Sequence, residues 1–400
     1  MKDREQRRAA IGAAFLLAAA AAGPSLMIQL PRFGARIGLP LLYAILFVTL
    51  ADIAAKANIW AIVGASGLTG AEIADRVKKG LGAVLSAIVA FGGLAFNVGN
   101  IGGTALGLNA LFGLPERIGA LIGAAAGVLV LCLRGAKRAV DLLSVLLSGI
   151  IVGSMLAIAI RSHAPVLDAI AAVPSWDTLP SVFVPLITLL GLACGGYIPF
   201  SGAHRLLESG GGSPLVFRRA AVLGASVSGL IRILLFFGVM GVCFAGKTWM
   251  QDRAASILAS DNPMAQTFAL AAGIWGRRLF GVALFASGLG CVIGAAYTSV
   301  SFLKTLHPYV RTHERAFMLG HIVCSALILL IFGNAARFAL LAGAINGVVL
   351  PLSLGCILLV AHRRDVVGSY RHPPLLTAAG WLIVLLSLIL AVYLIVRLFV

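Results

Sequence analysis

The sequence predicts an all-α polytopic membrane protein of about eleven transmembrane helices, the first and sixth of them discontinuous. Three observations carry that prediction. The 400 residues are 60% hydrophobic and 11% charged, with a mean hydropathy of +1.03, a balance outside the range of soluble globular domains. Apolar windows of about 18 or more residues recur from end to end, the length a helix needs to cross about 30 Å of hydrocarbon. Two of these windows are broken in mid-span, at Ala22-Gly23-Pro24-Ser25 and at Gly195-Gly196-Tyr197-Ile198-Pro199.

Taken in order, the apolar windows place spans at about 9–31, 38–63, 81–113, 115–133, 139–160, 180–204, 220–246, 279–303, 316–334, 338–361 and 373–397. One transmembrane domain, 1–400, accounts for the chain. The segment Met1 to Ala22 has the basic head and alanine run of a secretory signal, but apolar character resumes after Pro24, so it reads as the first half of span one. Between spans seven and eight, the run Ala254 to Trp275 is expected to form a short outer amphipathic helix rather than to extend span eight.

Formal net charge is +17. With the amino terminus in the cytoplasm, every inner segment carries at least three basic residues: Lys2, Arg4, Arg7 and Arg8; Arg76, Lys78 and Lys79; Arg134, Lys137 and Arg138; Arg205, Arg218 and Arg219; Lys304, Arg311 and Arg315; Arg363, Arg364 and Arg371. The positive-inside rule therefore explains the charge, and no nucleic-acid partner is needed. A compact helical protein with short loops and a brief basic head fits a bacterial inner membrane. The six cysteines all fall in apolar segments without a C-x-x-C pair, which implies neither disulfides nor zinc. No cofactor is indicated. Gly64-Ala-Ser-Gly67 has the form of an intramembrane-protease serine motif, with His204 as its conceivable base. In a chain with 47 glycines such a match arises by chance, and it lies at the end of a span, so the chain reads as no enzyme.

The breaks point to function. Proline removes an N–H and displaces a carbonyl, so each break leaves backbone polar groups inside the membrane. Spans one to five (about 9–160) and six to ten (about 180–361) form two units of equal count, each opening on a broken span. Because five is odd, the second unit enters from the opposite side, which makes a five-plus-five inverted repeat of the LeuT type, with 373–397 added. In such proteins the binding site of a secondary transporter lies at the breaks.

Several polar residues fall inside spans. Met27 and Cys194 lie within about a turn of the breaks and read as core filling, with sulfur donation to a soft ion as the alternative. His204 and Glu208, four residues apart around Arg205, lie along the inner half of span six as candidates for coupling or gating. Arg232 sits in the middle of span seven, where a charge needs a counter-charge or a functional role. Asp52 and Lys56 in span two are spaced to neutralise each other.

The stretch Gly103-Thr-Ala-Leu-Gly-Leu-Asn-Ala-Leu-Phe-Gly113 resembles the end of the third helix of the natural resistance-associated macrophage protein (Nramp) divalent-metal transporters. The interval from Gly12 to Gly23 and the run Leu284 to Ala295 are similar to that family's first and eighth helices. The resemblance covers nearly the whole chain and implies an eleven- or twelve-helix fold that moves cations by alternating access. The departures concern ligands. Where the family has Asp-Pro-Gly-Asn, this chain has Gly23-Pro24-Ser25-Leu26; where it has Met-Pro-His, this chain has Ile198-Pro199-Phe200. The third-helix Asp and Glu associated with proton movement align with Asn97 and Asn100.

No metal ligand is thus supplied by side chains at the family positions. A stripped transition ion needs sulfur, imidazole or carboxylate donors, and magnesium is normally held through a carboxylate or two. The candidate substrate site comprises Gly23, Leu26, Gln29, Asn97, Asn100, Gly195 with its exposed carbonyl, Tyr197, Ile198, Phe200 and Ser201, with Asn346 beside them. The expected function is Nramp-like secondary transport of a small cation, divalent ions included, through a non-standard site. The alternatives are a LeuT-fold carrier of a small organic solute and a non-transporting sensor.

Overall fold

Helix follows helix through the computed structural model, which describes residues 2–132, 136–245, 248–333 and 335–399. Arg134, one of the basic residues assigned to an inner segment, lies outside the described residues. The helices are α1 (Lys2–Ala21), α2 (Pro24–Ile37), α3 (Leu41–Ser66), α4 (Gly70–Val77), α5 (Leu81–Phe112), α6 (Glu116–Cys132), α7 (Ala136–Arg161), α8 (Val166–Ala171) and α9 (Leu179–Cys194). A 3₁₀ turn at Ile198–Phe200 leads to α10 (Ala203–Glu208) and α11 (Pro214–Cys243). After a hairpin of two-residue strands, β1 (Phe244–Ala245) and β2 (Thr248–Trp249), come α12 (Gln251–Ala259), α13 (Pro263–Leu303), α14 (Pro308–Thr312), α15 (Glu314–Phe332), α16 (Ala335–Val360), α17 (Arg364–Val367) and α18 (Pro374–Phe399).

Among the described residues, six helices are long and apolar enough to cross a membrane, and the α1/α2 pair, bent by 48°, makes a seventh candidate. Large apolar side chains point outward along these helices, Leu50, Phe91 and Ile331 being 61–72% exposed. That surface would be untenable in water and is what hydrocarbon solvates. Inside, α5 and α13 approach closely because small residues face each other: a methyl group on Gly288 would lie 2.9 Å from both the Asn100 carbonyl and the Thr104 amide. This small-residue contact lets two long helices run backbone to backbone.

The region between α11 and the eighth span differs from expectation in detail. The run Ala254 to Trp275 is not one amphipathic helix. It divides at Ser260-Asp261-Asn262, where the Asn262 side chain caps the start of α13 by accepting from the Ala265 amide at 3.2 Å. A second break follows at Ala272 and Gly273, whose φ of +60° lies in the left-handed region. The helix that carries the eighth span is thus regular from just beyond Gly273 to Leu303.

Candidate functional site

Both predicted breaks are present, and both are buried. At the first, α1 ends at Ala21 and α2 starts at Pro24, which lacks the N–H that the break would otherwise strand. The Gly23 carbonyl takes the amides of Leu26 and Met27 at 3.0 and 3.2 Å. The carbonyls left over by α1 find partners on α13: Ser287 Oγ donates to the Ala22 carbonyl at 2.7 Å, and Cys291 Sγ to that of Ala19 at 3.1 Å. Intramembrane helix breaks require such substitutes for the missing helical bonds.

The second break is held differently. The Gly196 amide donates to the backbone carbonyl of Asn346 at 3.1 Å, and Trp60 Nε1 donates to the Pro199 carbonyl at 2.8 Å. Gly196 has a φ of +58°, and a methyl group there would collide with the Asn346 side chain, so this position needs glycine twice over. Asn346 in turn donates from Nδ2 to the Gly92 carbonyl at 3.0 Å, tying α16 to α5 beside the break. The Gly195 carbonyl is not exposed as expected: the turn folds back and it accepts the Ile198 amide at 3.2 Å.

The two breaks meet at Asn100. A methyl group on Gly23 would lie 3.7 Å from Asn100 Oδ1 and 3.1 Å from Cys291 Sγ, and the Asn100 side chain also lies beside Tyr197 of the second break. Tyr197 also stacks edge-on against Phe96, with ring centroids 5.6 Å apart. One helical turn along α13 from Cys291, Gly294 faces Ser201, whose Oγ would sit 3.4 Å from an added methyl. A short stretch of α13 therefore touches both breaks, and one amide on α5 spans them.

Around this junction lie buried polar atoms that have no hydrogen-bond partner among the described residues: Ser25 Oγ, Gln29 Nε2, Asn97 Oδ1, Asn100 Nδ2, Ser201 Oγ and Thr298 Oγ1. Each such atom costs about 1–3 kcal/mol in a packed interior. Ser25 and Gln29 are one turn apart on α2, and Asn97 and Asn100 nearly so on α5, so each pair shares a helix face. Among the described residues, no group of three or more His, Cys, Asp or Glu is placed to hold a metal ion. The donors at the junction are amides, hydroxyls, a phenol and thiols.

The side chains of the other candidates are packed or bonded in place. Leu26, Met27 and Ile198 belong to the apolar core. Phe200 packs edge-on against Phe302 at 4.9 Å and lies 5.6 Å from the His204 ring; with a methyl on Gly70 only 2.6 Å from it, it seals the α4–α10 side of the junction instead of lining the centre. His204 accepts the Gly70 amide on Nε2 at 3.0 Å and is 2.7 Å from Ser301 Oγ through Nδ1. Since an amide only donates, the proton is on Nδ1, and His204 is held as a neutral strut. Glu208 receives Tyr297 Oη at 2.5 Å and Lys304 Nζ at 2.8 Å, and Lys304 reaches Glu314 at 2.6 Å. This chain of charges ties α10 to the end of α13 and the start of α15.

Asp52 is not neutralised by Lys56 alone. It lies between Lys56 and Arg232, so the counter-charge that Arg232 required is in span two. Cys194 Sγ donates to the same carboxylate at 3.2 Å, which occupies the thiol otherwise considered as a sulfur ligand. Sequence reasoning missed Ser287, Cys291 and Thr298, although their regular spacing along span eight is a readable stripe of small polar residues. It also passed over His321, a mid-span imidazole whose Nδ1 is 3.2 Å from Asn97 Nδ2.

The architecture defines a polytopic helical membrane protein in which two interrupted helices cross at a buried polar junction. The sequence profile of the natural resistance-associated macrophage protein-like family matches residues 14–397. The chain belongs to this Nramp family. Among its relatives, the membrane protein YcsG of Bacillus subtilis is 36% identical over 394 residues, spanning 96% of this chain and 93% of that one. The divalent metal cation transporter MntH of Agrobacterium fabrum is 27% identical over 328 residues, 77% of this chain and 69% of its own. A manganese transporter of Eremococcus coleocola superposes with a TM-score of 0.74 at 18% identity, covering 96% of this chain and 85% of that one. MhsT, solved with L-phenylalanine, superposes with a TM-score of 0.71 at 15% identity, covering 95% and 98%. Both superpositions share the LeuT-type fold.

Proposed function

We propose that this chain is a secondary transporter that moves a small hard cation, divalent ions included, between two faces of a bacterial inner membrane, with its amino terminus in the cytoplasm. The observation that carries the reading is a set of buried polar atoms without partners on the helices that form and flank the two breaks, the oxygens of Ser25, Asn97 and Ser201 and the amide nitrogens of Gln29 and Asn100. Interiors rarely tolerate such atoms unless something else binds them. The naming of MntH relatives as divalent metal cation transporters supports a cation, and the donor set narrows it. The Asn97 amide oxygen and the Ser25 and Ser201 hydroxyls, without a carboxylate, suit an ion that keeps part of its water shell, whose waters would also accept from the Gln29 and Asn100 amide nitrogens, not one stripped to sulfur and imidazole.

In this reading the breaks are hinges, and two layers below them, one aromatic and one charged, close one face. His204, Phe200 and Phe302 seal the path, and the Glu208–Lys304–Glu314 chain releases when α10 swings away from α13. The basic segments hold that face in the cytoplasm. The test is uptake into proteoliposomes with Mn²⁺, Mg²⁺, Ca²⁺ and monovalent ions offered singly. Saturable uptake of a cation that is lost in Asn100→Leu supports the site; no uptake of any cation overturns it in favour of an organic solute or a sensor.

A further inference from the structure

Asp52 on α3, Lys56 one turn later and Arg232 on α11 form an ionic cluster with no exposed side-chain surface. Asp52 Oδ1 lies 2.6 Å from Lys56 Nζ, while Oδ2 is bonded to Arg232 Nη2. Ser228 Oγ and Cys194 Sγ each add a donor at 3.2 Å, one to each oxygen. The charged and titratable groups facing Lys56 are Asp52 from its own helix, Cys194 from α9 and Arg232 from α11. One carboxylate thus faces two cations, and the cluster carries a formal charge of +1 in a place where net charge is strongly disfavoured.

A guanidinium does not give up its proton in a protein. Cys194 spends its S–H proton on the Asp52 carboxylate, beside which a thiolate would be repelled, so the cluster reaches neutrality by loss of a proton from Lys56. Its geometry also links that proton to the transport machinery. Cys194 is the last residue of α9, directly before the break at Gly195. When the end of α9 is in place, Asp52 Oδ1 is shared between the thiol and the ammonium; when it withdraws, Oδ1 is left to Lys56 alone. Asn97 and Asn100, by contrast, carry no titratable proton.

We propose that Lys56 is the proton-carrying site of this protein, loaded and unloaded as the second break moves. The inference rests on the transporter reading above. In the unloading step an Nζ–H bond breaks, the electron pair stays on Nζ and the proton passes to water. In the loading step the amine takes a proton from water on the other face, with the ammonium held by Asp52.

The test uses the full chain in lipid nanodiscs with its lysines labelled with ¹⁵N at Nζ, whose resonance separates ammonium from amine. One resonance, absent from Lys56→Met, is expected to convert from ammonium to amine between pH 5 and pH 9. Cys194→Ala, a mild substitution that leaves the ion cluster whole, is expected to move the midpoint by about half a pH unit, about 0.7 kcal/mol. An ammonium that persists through that range, or a midpoint indifferent to Cys194→Ala, overturns the proposal. In proteoliposomes, a pH gradient is expected to accelerate Mn²⁺ or Mg²⁺ uptake by the parent chain, and Lys56→Met to lose about fivefold or more of that acceleration. If the parent chain takes up no cation, the transporter reading falls, whereas the lysine resonance judges the proton site by itself.

Discussion

The molecule has two polar interiors built on opposite terms. At the junction of the breaks there is no charge, and atoms such as Gln29 Nε2, Asn97 Oδ1 and Ser201 Oγ are left without partners. At the Asp52 cluster, on the flank of the same second break, there are three charges, and every acceptor position of the carboxylate is in use, although Arg232 Nη1 has no hydrogen-bond partner among the described residues and Lys56 Nζ has only its ion pair with that carboxylate. Unsatisfied dipoles are cheap enough to maintain until a ligand arrives, whereas an unsatisfied charge is not. The neutral junction is thus the proposed binding site, and the charged cluster ties helices α3, α9 and α11 together.

That contrast predicts opposite responses to mutation. Removing only the carboxylate, as in Asp52→Leu, leaves two buried cations facing each other and is expected to cost about 3–5 kcal/mol of stability, read as lost yield and a lowered unfolding temperature in detergent. Combining Asp52→Leu with Lys56→Met and Arg232→Met replaces the cluster by apolar groups, and most of that stability is expected to return. At the junction the signs reverse. Ser201→Ala removes an orphaned polar atom, so thermal stability is expected to be unchanged or raised, while cation uptake in proteoliposomes falls about tenfold or more, a loss of about 1.4 kcal/mol in binding. A Ser201→Ala protein that unfolds as readily as Asp52→Leu would erase the distinction between the two interiors.

How much of this could be read from the chain follows the same division. Helices, breaks and the LeuT-type fold are legible because they depend on local signals: apolar length and Gly/Pro steps inside two apolar spans. Asn97, Asn100 and Gln29 were legible as polar residues in apolar spans near those signals. Partnership was not. Arg232 and Asp52 are 180 residues apart, and nothing along the chain says that they meet. The same is true of Ser287 and the Ala22 carbonyl. The Gly195 carbonyl looked free because a break in a helix says that bonds are lost, not that a tight turn recovers them. The outer segment misled for a local reason: apolar character runs from Ala254 to Trp275, and the division at Asn262 is a capping interaction that periodicity does not register.

The means by which the first break is held gives a smaller effect that sharpens the comparison from the structural side. Ser287→Ala deprives the Ala22 carbonyl of its donor in a buried setting, and a loss of about 1–2 kcal/mol is expected, measured as a shift in thermal unfolding. Cys291→Ala is expected to cost less, because a thiol is a weak donor. Neither residue belongs to the unpartnered set, so uptake should fall only as far as the break itself is displaced. A tenfold loss of uptake in Ser287→Ala without a change in stability would move this hydroxyl from the scaffold into the binding site.

Between the two extremes stands His372, polar and titratable but neutral, in the connection that leads into α18. Asn58 donates from Nδ2 to the Leu376 carbonyl at 2.9 Å, so its Oδ1 is the acceptor that takes His372 Nε2 at 2.7 Å. His372 Nδ1 lies 3.3 Å from Tyr370 Oη. Burial pushes the imidazole down to about 4, with His362 and Arg218 adding repulsion. The sign follows from that depression: the docked ring stays neutral, whereas an undocked ring with an ordinary value of about 6.5 takes up a proton. Docking of this connection on α3 is therefore undiminished above about pH 6.5, weakens as pH falls from there, and reaches its full penalty near pH 4. Hydrogen exchange of residues 368–376, corrected for the intrinsic pH dependence of exchange, is expected to accelerate over that window. His372→Gln, which keeps a donor for Asn58 and cannot titrate, is expected to flatten the response, and a response that survives His372→Gln would assign it to another group.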